Sequence, residues 1–122
     1  MIGISNTETM GRGVIAHQDM KSGSLVMACP TLILSKRDTE IIQKTELKYY
    51  TYALNPNRDI IAFGAASLLN HSDEPNLKYE LAFEDNECYI KFYAIRDISS
   101  GEQLFIDYRS DSKIDINEYI RR

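Results

Sequence analysis

The sequence predicts a mostly β domain with a few short helices. Three observations carry that expectation. Turn-forming residues interrupt the chain at short intervals, the runs between them are rich in β-branched, leucine and aromatic side chains, and only one stretch spaces apolar residues loosely at a helical period. Turns are expected at residues 11–13, 21–24, 55–57, 72–76, 85–86 and 99–101, where Gly, Asn, Asp, Ser and Pro gather. Between them, residues 13–16, 25–29, 31–34, 77–83, 88–93 and 103–108 read as strands of four to seven residues. Residues 38–52 differ, because Asp38 can cap and Ile41, Ile42, Thr45, Leu47, Lys48 and Tyr52 mix at helical spacing; one helix is expected there, with Tyr49 and Tyr52 on a common face. Residues 62–69 fit a short buried helix and a buried strand equally well. Glu84-Asp85-Asn86-Glu87 reads as a hairpin tip, with Tyr79, Leu81 and Phe83 alternating on one arm and Cys88, Ile90 and Phe92 on the other.

At 122 residues one compact core must carry whatever function exists, because two ordinary domains do not fit. Hydrophobic residues at 43% and charged residues at 26% are ordinary for a folded soluble chain, which excludes disordered and fibrous classes. Cys29 and Cys88 are neither spaced as metal ligands nor dense enough to staple a secreted domain, so reduced thiols and no metal are expected. No basic segment leads into an apolar run at the N-terminus, and the apolar runs at 60–63 and 65–69 are far below bilayer length. A soluble intracellular protein follows. No repeat or linker divides the chain, and residues 111–122 set Ile114, Ile116, Tyr119 and Ile120 among charges, as a weakly docked helix, a lid or a flexible tail would.

Acidic residues outnumber Lys and Arg by 18 to 14, which speaks against direct nucleic-acid binding, where affinity rests on neutralising phosphates. The imbalance is local: residues 1–70 carry a net +1 and residues 71–122 a net −5. A surface of that kind keeps a protein soluble and also attracts cationic partners at long range.

Two segments concentrate chemically capable residues. Asn70-His71-Ser72-Asp73-Glu74-Pro75-Asn76 emerges directly from an apolar run, so Asn70 and His71 could present an amide and an imidazole at low ordering cost; the same residues also suit Asx and Ser turns around Pro75. Residues 94–108 describe a strand, a tight turn at Ser100-Gly101 and a second strand that ends in Asp107-Tyr108. A tyrosine there can pack its ring and still aim its hydroxyl into a cleft. Gly11-Arg12-Gly13 is no dinucleotide fingerprint, since it lacks a third glycine and precedes a strand.

In order and company, Gly-Arg-Gly-Val-Ile-Ala, then Asn-His-Ser-Asp-Glu-Pro-Asn, then Gly-Glu-Gln-Leu-Phe-Ile-Asp-Tyr together resemble the SET-domain family of protein lysine methyltransferases, over about residues 10–109. Compact single-domain viral and bacterial members are similar in size. The resemblance implies several small curved sheets, of β-clip-like form, around a threaded C-terminal segment. It makes residues 1–109 the SET domain and 110–122 a short extension. It further implies that Gly11, Arg12 and Gly13 wrap S-adenosylmethionine, that the backbone of Asn70 and His71 holds its ends, and that Tyr108 stands where the methyl group moves. Tyr49, Tyr50, Tyr52 and Tyr108 would line the lysine channel, and Phe63, Phe92, Tyr93 and Phe105 are expected in the core. The implied partner is a lysine-containing protein or peptide, expected to be basic. The alternative is a catalytically silent module that binds cofactor or a lysine-containing tail.

Two departures from the family pattern stand out. Residues 109–122 hold no cysteine, so the zinc cluster that closes the channel in many relatives is missing, and Tyr119 with its neighbouring isoleucines or a second copy of the chain would have to cover the site instead. Leu68-Leu69 stand where an aromatic residue often precedes Asn-His, which bears on how many methyl groups fit.

Overall fold

The computed structural model describes residues 1–8 and 10–108; the extension expected at 110–122, with its lid, lies outside the described residues. The elements in chain order are β1 (Ile2–Thr7), β2 (Gly11–Ala16), β3 (Leu25–Ile33), α1 (Lys36–Ile42), a 3₁₀ turn (Glu46–Tyr50), β4 (Thr51–Asn55), β5 (Arg58–Ala62), a second 3₁₀ turn (Ala65–Leu68), β6 (Asn70–His71), β7 (Leu77–Glu84), β8 (Glu87–Ala94) and β9 (Gln103–Ile106). The expectation of a mostly β fold with short helices holds. Among the described residues the chain forms two compact units: one from residues 1–28, 68–79 and 91–108, the other from residues 29–67 and 80–90.

The first unit holds a four-stranded sheet in the order β1-β2-β9-β6. β1 and β2 form an antiparallel ladder from Ile2↔Ala16 to Thr7↔Gly11. β9 comes late in the chain yet lies inside this sheet, antiparallel to β2 through Val14↔Leu104 and parallel to β6 through Asn70↔Phe105 and His71↔Ile106. Alternation explains the packing, for Val14 and Ala16 on β2 and Leu104 and Ile106 on β9 are all buried, leaving Gln103 and Phe105 on the opposite face. Phe92, Leu77, Leu69 and Ile98 complete this core.

The second unit packs Leu34, Leu54, Ile60, Ala62, Ala66, Leu81, Cys88 and Ile90 into its interior. β5 pairs antiparallel with β4 on one side and β3 on the other. β7 and β8 form the expected hairpin. Asp85 and Asn86 at its tip both have positive φ, 50° and 65°, as a two-residue turn requires to match the twist of its arms. Cys88, Ile90 and Phe92 alternate inward along β8, as the sequence predicts, and Ala94 continues the pattern.

Several elements differ from the expectation. The helix over 38–52 is really three elements: Ser35 rather than Asp38 caps α1 through the Asp38 N–H (3.0 Å), α1 ends at Ile42 with Gln43 as its C-cap, and Thr45 caps the start of the 3₁₀ turn that follows. The Thr45 hydroxyl donates to the Ile42 carbonyl (2.8 Å) and accepts the Leu47 N–H (3.2 Å), offering the backbone a partner that continuing the helix would not. Tyr52 therefore lies on a strand and shares no helical face with Tyr49. Residues 25–29 and 31–34 merge into one strand across Pro30. Its fixed φ suits extended backbone, and its carbonyl still accepts the Phe63 N–H at 2.9 Å. The last strand stops at Ile106, so Asp107 and Tyr108 follow it instead of belonging to it. Residues 62–69 divide between the end of β5 and a 3₁₀ turn. Phe63, expected in the core, is exposed, whereas Phe92 is fully buried.

Candidate active site

The first unit brings together five of the residues singled out in the sequence: Arg12, Gly13, Asn70, His71 and Tyr108. Asn70 is the hub of one half. Its side-chain amide donates to the Arg12 carbonyl at 3.1 Å and to the Gln103 side-chain oxygen at 2.8 Å, which ties β2, β6 and β9 together at one level of the sheet. Gly13 makes this possible. A Cβ at that position would stand 2.6 Å from the Gln103 oxygen, 2.9 Å from the Thr7 methyl and 3.0 Å from the Asn70 amide nitrogen. Gly11 has φ +71° and nothing within 4 Å of where its Cβ would be, so the backbone there is both left-handed and open.

His71 is the hub of the other half. Its Nδ1 accepts the backbone N–H of Tyr108 at 2.9 Å, and its Nε2 lies 3.0 Å from an Asp73 carboxylate oxygen. The Tyr108 ring packs against the imidazole, with centroids 5.2 Å apart and planes tilted by 48°. The Tyr108 hydroxyl donates to the Leu69 carbonyl at 2.5 Å, although the residue as a whole is 57% exposed. Tyr108 is thus held at its backbone, its ring and its hydroxyl, yet keeps a face open to solvent. An oriented phenol of that kind can hold an incoming nucleophile in place by hydrogen bonding.

Asn76 had read as part of the turn around Pro75. It is instead fully buried. Its side chain donates to the Gln103 carbonyl at 2.9 Å and accepts the Phe105 N–H at 2.8 Å, so it acts as one more rung beside β9. Gln103 was missed altogether in the sequence. The signal lay in β9's own alternation, which sets Gln103 on the face away from Leu104 and Ile106. Ser72 does form the expected turn, accepting the Glu74 N–H at 3.0 Å.

Tyr49, Tyr50 and Tyr52 belong to the second unit. The 3₁₀ turn that carries Tyr49 and Tyr50 has no buried residue, and Tyr49 is 71% exposed with the Lys48 ammonium over its ring. Tyr52 is half-buried, its hydroxyl donating to the Ala66 carbonyl at 2.5 Å. Cys29 and Cys88 are buried and unbridged, and burial pushes both thiols up from their ordinary value. Among the described residues no three His, Cys, Asp or Glu side chains gather to hold a metal, and no helix is long and apolar enough to cross a membrane.

The sequence profile of the SET domain matches residues 11–109, from the first of these glycines to just beyond Tyr108. The chain belongs to the SET-domain family. A histone-lysine N-methyltransferase of Schizosaccharomyces pombe, specific for H3 lysine-37, is 34% identical over 106 residues, covering 86% of this chain and 71% of that protein. The crystal structure of a Plasmodium falciparum protein assigned as a histone methyltransferase superposes with a TM-score of 0.75 at 25% identity, covering 91% of this chain and 99% of that one. An active polycomb repressive complex 2 in its basal state contains a chain that shares the fold, with a TM-score of 0.76 at 21% identity, over 93% of this chain and 16% of that one. The family assignment makes this SET domain a protein lysine methyltransferase, and the mostly β architecture of small curled sheets is the family's fold.

Proposed function

We propose that this SET domain transfers a methyl group from S-adenosylmethionine to a lysine side chain in a basic protein tail, with Tyr108 as the residue beside the reacting atoms. The observation that carries this reading is the triple restraint on Tyr108 described above, which orders a solvent-facing phenol without covering it.

The residues present fit the methyl donor. β6 is the last strand of its sheet, so strand pairing takes up only one side of its backbone, leaving the other for the hydrogen-bonding edge of an adenine. The open, left-handed backbone at Gly11 permits close approach of a ligand, and the Asn70 amide fixes the Arg12 carbonyl beside it. Gly11, Arg12, Gly13, Asn70 and His71 are accordingly the proposed donor-binding residues. When bound, S-adenosylmethionine supplies a methyl carbon on a positively charged sulfur, an electrophile that needs no metal.

The protein's own contribution is to orient and to exclude water. A lysine at its ordinary pKa of about 10.4 is an ammonium without a free electron pair, and apolar aromatic surroundings favour its neutral form. Tyr108 holds the resulting amine in line for attack through its hydroxyl and ring. Tyr49 and Tyr50, exposed rings on an element with no buried residue, and the half-buried Tyr52 are proposed to meet the substrate. A basic substrate agrees with the net −5 of residues 71–122.

The test is calorimetric titration with S-adenosylmethionine, followed by mass spectrometry of lysine-rich peptides incubated with the protein and donor. A gain of one or more methyl units is expected. Tyr108→Phe should slow turnover by roughly 10²-fold while the donor Kd stays within about threefold. Donor binding without any methyl gain would show a silent module, and an unchanged rate in Tyr108→Phe would remove the role given to its hydroxyl.

A further inference from the structure

We propose that Asp73 is a positioning residue for Tyr108, acting by fixing which nitrogen of His71 carries the proton. This inference rests on the role proposed for Tyr108 and names a further residue behind it. A backbone N–H can only donate. The His71 Nδ1, 2.9 Å from the Tyr108 nitrogen, must therefore be the unprotonated nitrogen of the ring, and the proton resides on Nε2. Nε2 faces the Asp73 carboxylate at 3.0 Å, an acceptor that rewards this tautomer.

A competing acceptor stands nearby. An Asp107 carboxylate oxygen lies 3.7 Å from Nδ1, on the residue immediately before Tyr108. With the proton on Nδ1, the ring would be drawn toward Asp107 and could no longer accept from Tyr108. The two carboxylates thus favour opposite tautomers of one imidazole, and only the one favoured by Asp73 anchors the Tyr108 backbone. Orienting a histidine by a carboxylate on its far nitrogen is a general way to fix a tautomer. Here the nitrogen that is thereby presented serves a main-chain amide.

Asp73 suits a clean experiment, because its side chain is 78% exposed and its removal leaves no cavity. The full chain is labelled with ¹⁵N-histidine, and the His71 ring nitrogens are assigned in the wild type, Asp73→Ala and Asp73→Ala/Asp107→Asn. The wild type is expected to show the Nε2–H form alone. Asp73→Ala should show a mixed tautomer signature and a kcat lowered by about fivefold, the scale of one charge-assisted hydrogen bond, with the donor KM changed by less than about twofold. The double variant, which removes the competing carboxylate, should recover most of both. Unchanged tautomer signals in Asp73→Ala, or a kcat equal to wild type, would overturn the proposal. So would a kcat loss that Asp107→Asn fails to restore. Tyr108→Phe run in parallel separates the two readings: full activity there defeats the role of Tyr108 itself, whereas its expected loss alongside an unaffected Asp73→Ala defeats only the role of Asp73.

Discussion

Asn76→Ala should be among the most damaging single substitutions in this chain, for a reason that can be put in numbers. The Asn76 side chain is 0% exposed and makes two hydrogen bonds to main-chain groups of β9, donating to the Gln103 carbonyl and accepting from the Phe105 N–H. Alanine leaves both backbone groups facing an apolar gap, and a buried polar group without a partner costs about 1–3 kcal/mol. A loss of about 3 kcal/mol is a large share of the roughly 5–15 kcal/mol that holds a domain folded. At an m-value of about 1.5 kcal/mol/M the urea midpoint should fall by about 2 M, with the slope unchanged. Asn76→Asp sharpens the test. Its carboxylate can still accept from Phe105 but, ionised, cannot donate to the Gln103 carbonyl; protonated, it can. The folded form of this variant therefore binds a proton more tightly than the unfolded form, and its stability should fall as pH rises through the carboxylate range, relative to Asn76→Ala. A midpoint shift in Asn76→Ala below about 0.3 M, or parallel pH profiles for the two variants, would refute the reasoning.

Gly13→Ala should cost about 1–3 kcal/mol and weaken methyl-donor binding, because its Cβ would press on the Gln103 and Asn70 side chains; thermal melts with and without donor measure both effects. Glu102 accepts the Ser99 N–H and pairs with Arg96 at 3.1 Å, and these bonds hold its carboxyl below the ordinary 4.5. Its contribution is thus fully present above that value and lost as pH falls through the lower folded value. Glu102→Gln should lower stability in the neutral region, leave the acid end little changed and so flatten the acid limb of the stability profile. Cys29 and Cys88, buried with raised thiol pKa values, should resist iodoacetamide at pH 7 in the native protein and react fully in urea, which a mass shift reports.

The parts of the fold that were legible in the sequence are those governed by local chemistry. The hairpin at Asp85-Asn86 was readable because turn residues and alternation on both arms agree, and the mostly β character followed from short punctuated runs. β1, β4 and β5 escaped notice because their residues carry mixed polarity and owe their extended form to pairing partners elsewhere in the chain. The break in the expected helix over 38–52 turns on what one hydroxyl, that of Thr45, does with its two neighbours, which spacing cannot reveal. Asn70, His71 and Tyr108 stand out as candidates because special residues occur in a recognisable order. What Asn70 and His71 do with their side chains was not legible, since their partners, the Arg12 carbonyl and the Tyr108 N–H, are backbone groups that every residue possesses.

The placement of β9 between β2 and β6 has a consequence for biosynthesis. The Asn70 amide closes a loop of 58 residues to Arg12, and the His71 imidazole one of 37 residues to Tyr108. A nascent chain leaves the ribosome from its N-terminus, so the partners of the first link are free early, but the second cannot form before Tyr108 has emerged, and the flanks of β2 and β6 that pair with β9 stay bare until then. Ribosome-bound intermediates should consequently be protease-sensitive and unable to retain methyl donor, with competence arriving in a single late step once residue 108 is free.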